Sequence, residues 1–198
     1  MQKKLNIKIR LMQTIKTKHI FILFVLIALV QLFIPVQMIL GQETILDSGT
    51  AYKFRTEPID PTDPFRGKYI TLRYNINSAI TPDSTWLRKD DVYVYIKEDS
   101  LGFAELTQVS KKQLPIKEDY VIAKVSWYNY NNSTLRFNLP FNRFYMEESK
   151  AKPAEEAHRK AQRDSIPNNT FALVYVKEGE AVLKDVIIND IPIADYVE

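Results

Sequence analysis

The sequence contains no cysteine and only two histidines, His19 and His158. The first absence removes disulfides, thiolate nucleophiles and sulfur-ligated metals together. The second leaves little for imidazole chemistry, because neither histidine has a serine or aspartate partner at a known motif spacing and neither has metal-ligand company. Asp60 and Asp63, in the stretch DPTDP, lack the further oxygen ligands and the sixth-position glycine of a calcium loop. No metal or other cofactor is expected. Also missing is a basic excess in the body of the chain. The formal charge of +3 averages two unlike parts: residues 1–43 carry six basic side chains against Glu43 alone, while the remaining 155 hold 21 basic and 23 acidic ones. A nucleic-acid-binding domain keeps its positive charge on its folded surface, so nucleic acid is not an expected partner.

What is present begins with a long apolar run. From Ile20 to Leu40, IFILFVLIALVQLFIPVQMIL, there is no charge, and only Gln31 and Gln37 interrupt it as polar residues. At 1.5 Å per residue such a run crosses a hydrocarbon core of roughly 30 Å. The basic cluster before it and Glu43 and Asp47 after it place the N-terminus inside by the positive-inside rule. A cleavable signal peptide shares this grammar, but the run exceeds a usual apolar region and Ile39, Leu40 and Gly41 make a poor cleavage site. The expected organisation is therefore a basic cytoplasmic tail (1–19), a transmembrane anchor in the cytoplasmic membrane (20–41) and one extracytoplasmic domain (42–198).

That domain reads as β. Tyr52, Phe54 and Thr56 alternate with Lys53 and Arg55; Ile70, Leu72, Tyr74 and Ile76 alternate with Thr71, Arg73 and Asn75. The period of two predicts strands with one apolar face. Val92, Val94 and Ile96 alternate with Tyr93 and Tyr95, and KEDSLGF then turns the chain into a strand from Phe103 to Val109. Tyr120–Trp127 and Leu135–Leu139 form a second predicted hairpin around YNYNNST. Phe171–Val176 and Ala181–Ile188 flank KEGE, whose Gly179 suits a positive φ, as a third. The expected fold is mainly β, an antiparallel sandwich or partly open barrel.

One stretch breaks the rhythm. EESKAKPAEEAHRKAQR places Ala154, Ala157 and Ala161 on one helical face, with Glu155 to Arg159 and Glu156 to Lys160 at i,i+4. This predicts a short polar helix without a large apolar anchor, a solvated connection or a mobile lid. Lys124 and Ser126, two apart on one strand, would share a face and resemble a serine/lysine dyad, but no nucleophile elbow or oxyanion hole accompanies them.

The stretch DPTDPFRGKYITLRYNI joins a stiff loop to the clearest strand. Pro61 and Pro64 fix φ, and Gly67 permits a positive φ or a close approach just before the strand. GKYITLRY, Gly67 to Tyr74, resembles the GDYXXLXY signature of a bacterial protein family, agreeing at Gly67, Tyr69, Leu72 and Tyr74, with Lys68 in place of the aspartate. EPIDPTDPFR before it and NRFYMEESKAKPAEEA later also resemble that family's segments. The resemblance implies a membrane-anchored protein without an assigned activity.

The candidate binding residues are Arg66, Gly67, Tyr69, Arg73, Arg143 and Tyr145, a polar-aromatic surface with Glu147 and Glu148 as counter-charges. Leu72 and Tyr74 read as core. The expected function is a membrane-anchored binding or assembly module of an envelope complex, partnered by another envelope or membrane protein. The alternative is a membrane-tethered hydrolase or protease-like β-domain.

Overall fold

A computed structural model of the chain describes residues 2–57, 69–163 and 170–197. It divides into two units, Met1–Thr44 and Ile45–Glu198. The apolar run has no polar face to turn to water, as a helix lying on a protein core would, and it forms part of one helix, α1 (Gln2–Ser48), with Pro35 inside it. Its portion Lys18–Ser48 is long and apolar enough to cross a membrane, and its large apolar side chains from Ile20 to Leu40 are exposed.

α1 runs past the expected boundary at residue 42, because its last turn belongs to the β unit: Ile45 is buried there. Gly49 then ends the helix, its N–H donating to the Ile45 carbonyl at 2.8 Å. A Cβ at Gly49 would lie 2.5 Å from that oxygen and 3.0 Å from the Val176 oxygen, so only glycine fits this crossing without displacing backbone.

The β unit follows as β1 (Thr50–Glu57), β2 (Tyr69–Thr71), β3 (Arg73–Tyr74), β4 (Ser78–Ile80), β5 (Asp91–Glu98), β6 (Ala104–Ser110), β7 (Asp119–Asn129), β8 (Thr134–Asn138), β9 (Arg143–Tyr145), α2 (Glu148–Arg163), β10 (Thr170–Lys177), β11 (Glu180–Ile188), β12 (Ile191–Pro192) and α3 (Ile193–Tyr196). One five-stranded antiparallel sheet has the order β12-β11-β10-β1-β3, a second β4-β8-β7-β5-β6, and β2 with β9 forms a separate ribbon. Single bridges, Lys53 to Phe103 and Val121 to Gly179, link the two sheets into a nearly closed barrel. β3 pairs only with the end of β1, which leaves Lys53 free to make its bridge.

Alternation accounts for the core. Phe54, Val92, Val94, Val121, Leu135, Phe137, Val174 and Val176 all point inward and are buried, each contributing about 1.5–3 kcal/mol of transfer free energy. All three predicted hairpins form. In the third, Glu178 and Gly179 both have positive φ, 50° and 89°, the geometry that matches the twist of two-residue hairpins. In the first, Asp99 accepts the N–H groups of Leu101 and Phe103 and the Arg55 guanidinium at 2.7 Å. These bonds, that from Phe103 foremost, hold its carboxyl below the usual range.

Several expectations need correction. β structure continues past the third hairpin, which the sequence did not announce: Asn189 and Asp190, both with positive φ, turn the chain back into β12 and α3. Tyr95 lies on the side opposite Val94 but is fully buried, because the segment after β6 covers it and Leu114 donates its N–H to the Tyr95 hydroxyl at 2.6 Å. The strand expected from Tyr69 to Ile76 is two short strands with different partners.

Candidate recognition surface

The break in that strand places the site. Tyr69–Thr71 pairs with β9 in the register Tyr69 to Tyr145, Ile70 to Phe144 and Thr71 to Arg143. The Leu72 N–H then donates to the Asn142 carbonyl at 2.8 Å, and Arg73–Tyr74 moves over to β1, with Tyr74 opposite Thr56 and Arg73 opposite Glu57. Alternation survives the change of partner. Ile70, Leu72, Tyr74 and Ile76 are buried, while Thr71 and Arg73 are exposed. The Tyr74 ring packs edge-on against Phe54 and Phe141, and its hydroxyl donates to the Phe141 carbonyl at 2.8 Å. Burial drives its pKa upward, so it stays a neutral donor. The leucine and last tyrosine of the motif are core, as their alternation predicts.

The opposite face is the candidate surface, and it has two halves. On the β2–β9 ribbon the Tyr69 and Tyr145 rings lie 5.4 Å apart, and the Arg143 guanidinium sits 4.9 Å from the Tyr69 ring centroid. Further along, Thr71 and Arg73 open into a cleft of about 380 Å³ whose other wall comes from β7 and β8. That wall carries Trp127, 45% exposed, with the Arg136 guanidinium 5.6 Å from its ring centroid. Glu57 is the cleft's carboxylate, with the Asn77 amide nitrogen 3.5 Å from it. Among the described residues, Arg73, Arg136 and Arg143 form no ion pair.

The structure thus gathers Tyr69, Arg143 and Tyr145 and sets Arg73 on the continuation of the same face. Glu147 is exposed just ahead of α2 and accepts the Ser149 hydroxyl at 2.9 Å. Glu148 opens α2 and its side chain lies outside what is described, as do Arg66, Gly67, Asp60 and Asp63. Trp127 and Arg136 escape a sequence reading. Val121, Ala123 and Val125 point inward, and strict alternation would carry Trp127 inward too. A register shift between Val125 and Trp127 leaves Ser126 as the extra residue and turns the indole out. Lys124, on the same strand, pairs with Asp91 at 2.6 Å.

α2 is not a solvated connection. Ala151, Ala154 and Ala161 are buried, and small side chains let the helix lie close to its neighbours. His158, among them, is only 3% exposed. The Thr56 hydroxyl donates to that of Thr170 at 3.1 Å, and His158 Nε2 lies within hydrogen-bond distance of the Thr56 oxygen, at 3.1 Å. Burial lowers the imidazole pKa to about 4. It is a neutral group tying α2 to β1. Among the described residues no three His, Asp or Glu side chains gather as metal ligands do.

Neither the curated proteins nor the solved structures yield a match to this chain. Residues 31–186 match the family described as GDYXXLXY protein, from within the apolar helix through nearly all of β11. With its leucine and final tyrosine in the core and the intervening Arg73 on an exposed face, the motif strand belongs to a chain that is a member of the GDYXXLXY protein family.

Proposed function

We propose that this is a single-pass protein of a bacterial cytoplasmic membrane, with its N-terminus inside and its β domain outside, where the domain binds a partner protein of an envelope complex. The observation that supports this reading is the cluster of Tyr69, Arg143 and Tyr145 on the exposed face of the motif ribbon. Tyrosine supplies a large rigid contact area and arginine a forked hydrogen-bond donor, and both are enriched among interface hot spots. Paired strands hold all three, which limits the ordering cost of association. The cluster also adjoins the end of β1 remote from α1. β1 spans eight residues, roughly 23 Å at 3.3 Å per residue, so the surface is set apart from the point at which the helix joins the domain.

A photo-crosslinking side chain at exposed Thr71, in cells, tests the reading. A discrete adduct with a membrane or envelope protein is expected, and Arg143→Ala combined with Tyr145→Ala should reduce it at least tenfold while leaving the melting temperature within a degree or two. No adduct, or one indifferent to both substitutions, would remove the ribbon as the binding face.

A further inference from the structure

We propose that the cleft beside Arg73 is a binding site for a carboxylate-bearing saccharide. This goes beyond the partner-protein reading, which uses the ribbon half of the surface, and it stands whether or not a protein binds there.

The backbone around the cleft narrows the choice of ligand. A peptide that adds to a sheet edge needs a row of free N–H and C=O groups. Here the Leu72 N–H donates to the Asn142 carbonyl at 2.8 Å, the Phe137 N–H to the Asn77 carbonyl at 3.0 Å, and the Asn77 side-chain amide to the Tyr74 carbonyl at 2.9 Å. These main-chain groups are already bonded within the domain and are not open to an added strand, which leaves the exposed side chains to read a ligand.

Those side chains specify three features. Arg73 and Arg136 face the cleft with no ion pair among the described residues, against the single carboxylate of Glu57. The local charge favours an anion, and a guanidinium fork matches a carboxylate with two parallel hydrogen bonds. Asn138 and Asn142, both exposed, offer donors and acceptors together, and Glu57 adds an acceptor. A hydroxyl also donates and accepts, so several hydroxyls on one ligand satisfy this set. Trp127 presents a flat apolar ring beside these polar groups, turned outward by the bulge at Ser126, and the C–H face of a sugar ring packs on such a surface. A simple inorganic anion would leave the indole and the amides unused. The volume of about 380 Å³ falls within the range of small-ligand pockets.

The chain's two tryptophans make the test direct. Trp86 is buried, 4% exposed, whereas Trp127 lies at the cleft, so a ligand-induced change in emission reports on Trp127. Full-length protein in detergent micelles is titrated with trigalacturonate, a neutral trisaccharide and a hexapeptide of glutamate. A saturable emission change with trigalacturonate is expected, with at least tenfold weaker binding of the neutral sugar and the peptide. Arg73→Gln and Arg136→Gln should each weaken trigalacturonate binding at least tenfold at unchanged melting temperature. Trp127→Phe should abolish the emission change while calorimetry still registers binding. The proposal is overturned by absence of saturation at millimolar trigalacturonate, by peptide binding at least as tight, or by indifference to both arginine substitutions.

Discussion

The Tyr74 hydroxyl donates to the Phe141 carbonyl inside the core, so this residue's value lies in one bond as well as in its ring. Tyr74→Phe keeps the packing against Phe54 and Phe141 but strips a buried acceptor of its donor, at a cost of about 1–2 kcal/mol. Thermal melting should register that loss; an unchanged midpoint would show that the bond adds nothing. His158 acts through pH. Its folded pKa of about 4 lies below the ordinary 6.5 because burial penalises the charged ring. Below pH 6.5 the unfolded chain takes up a proton that the folded chain refuses. The contribution to stability is therefore complete above 6.5 and declines as pH falls toward 4, by as much as ~3 kcal/mol. His158→Gln retains a hydrogen-bonding group toward Thr56, since an amide can both donate and accept, and removes this titration. Between pH 7 and 4.5 the wild type should lose more stability than the variant, and parallel pH–stability curves would refute the assignment. The hydrogen-bonding partners of both residues are illegible in the sequence. Thr56 is more than a hundred positions from His158, and no spacing rule links them.

Elements show a different balance. The hairpins are legible because their turns announce themselves in residue type, as Glu178-Gly179 does, and because apolar alternation on either side sets which face turns inward. The packing of α2 is hidden in the sequence for an equally physical reason. Alanine stripes and a lone histidine carry little hydrophobic signal, yet a helix that must lie close to its neighbours needs small side chains there. The junction of α1 and β1 depends on Gly49 in the same way. Gly49→Ala would bring a Cβ within 2.5 Å of the Ile45 carbonyl oxygen and 3.0 Å of that of Val176. Both are main-chain atoms that cannot rotate aside, so a cost of about 1–3 kcal/mol is expected. The same substitution at Gly41, where nothing lies within 4 Å, serves as the control. Equal melting of the two variants would mean that the junction relaxes freely.

For the molecule entire, the unequal charge of its two parts and the exposed apolar helix make the strongest statement. A stretch such as Ile20–Leu40, with its large apolar side chains exposed, is costly to leave in water at about 25 cal/mol per Å². Burial in lipid offsets that cost. The full-length chain should stay in the membrane fraction through an alkaline carbonate wash. Recovery of a shortened, soluble form would show cleavage near the end of the apolar run instead.

The apolar helix, the strands and the inward set Ile70, Leu72, Tyr74 and Ile76 follow from composition and period alone, because a period records which face of an element avoids water. It does not record what lies beside that element. Only the folded chain reveals that the motif strand changes partner at Leu72, that Ser126 bulges and turns Trp127 outward, and that His158 reaches Thr56. It also brings Arg73 and Arg136 from distant positions to opposite walls of one cleft. These features depend on strand pairing between remote segments, which is selected by the packing of a shared core and leaves no mark in the local pattern of either partner.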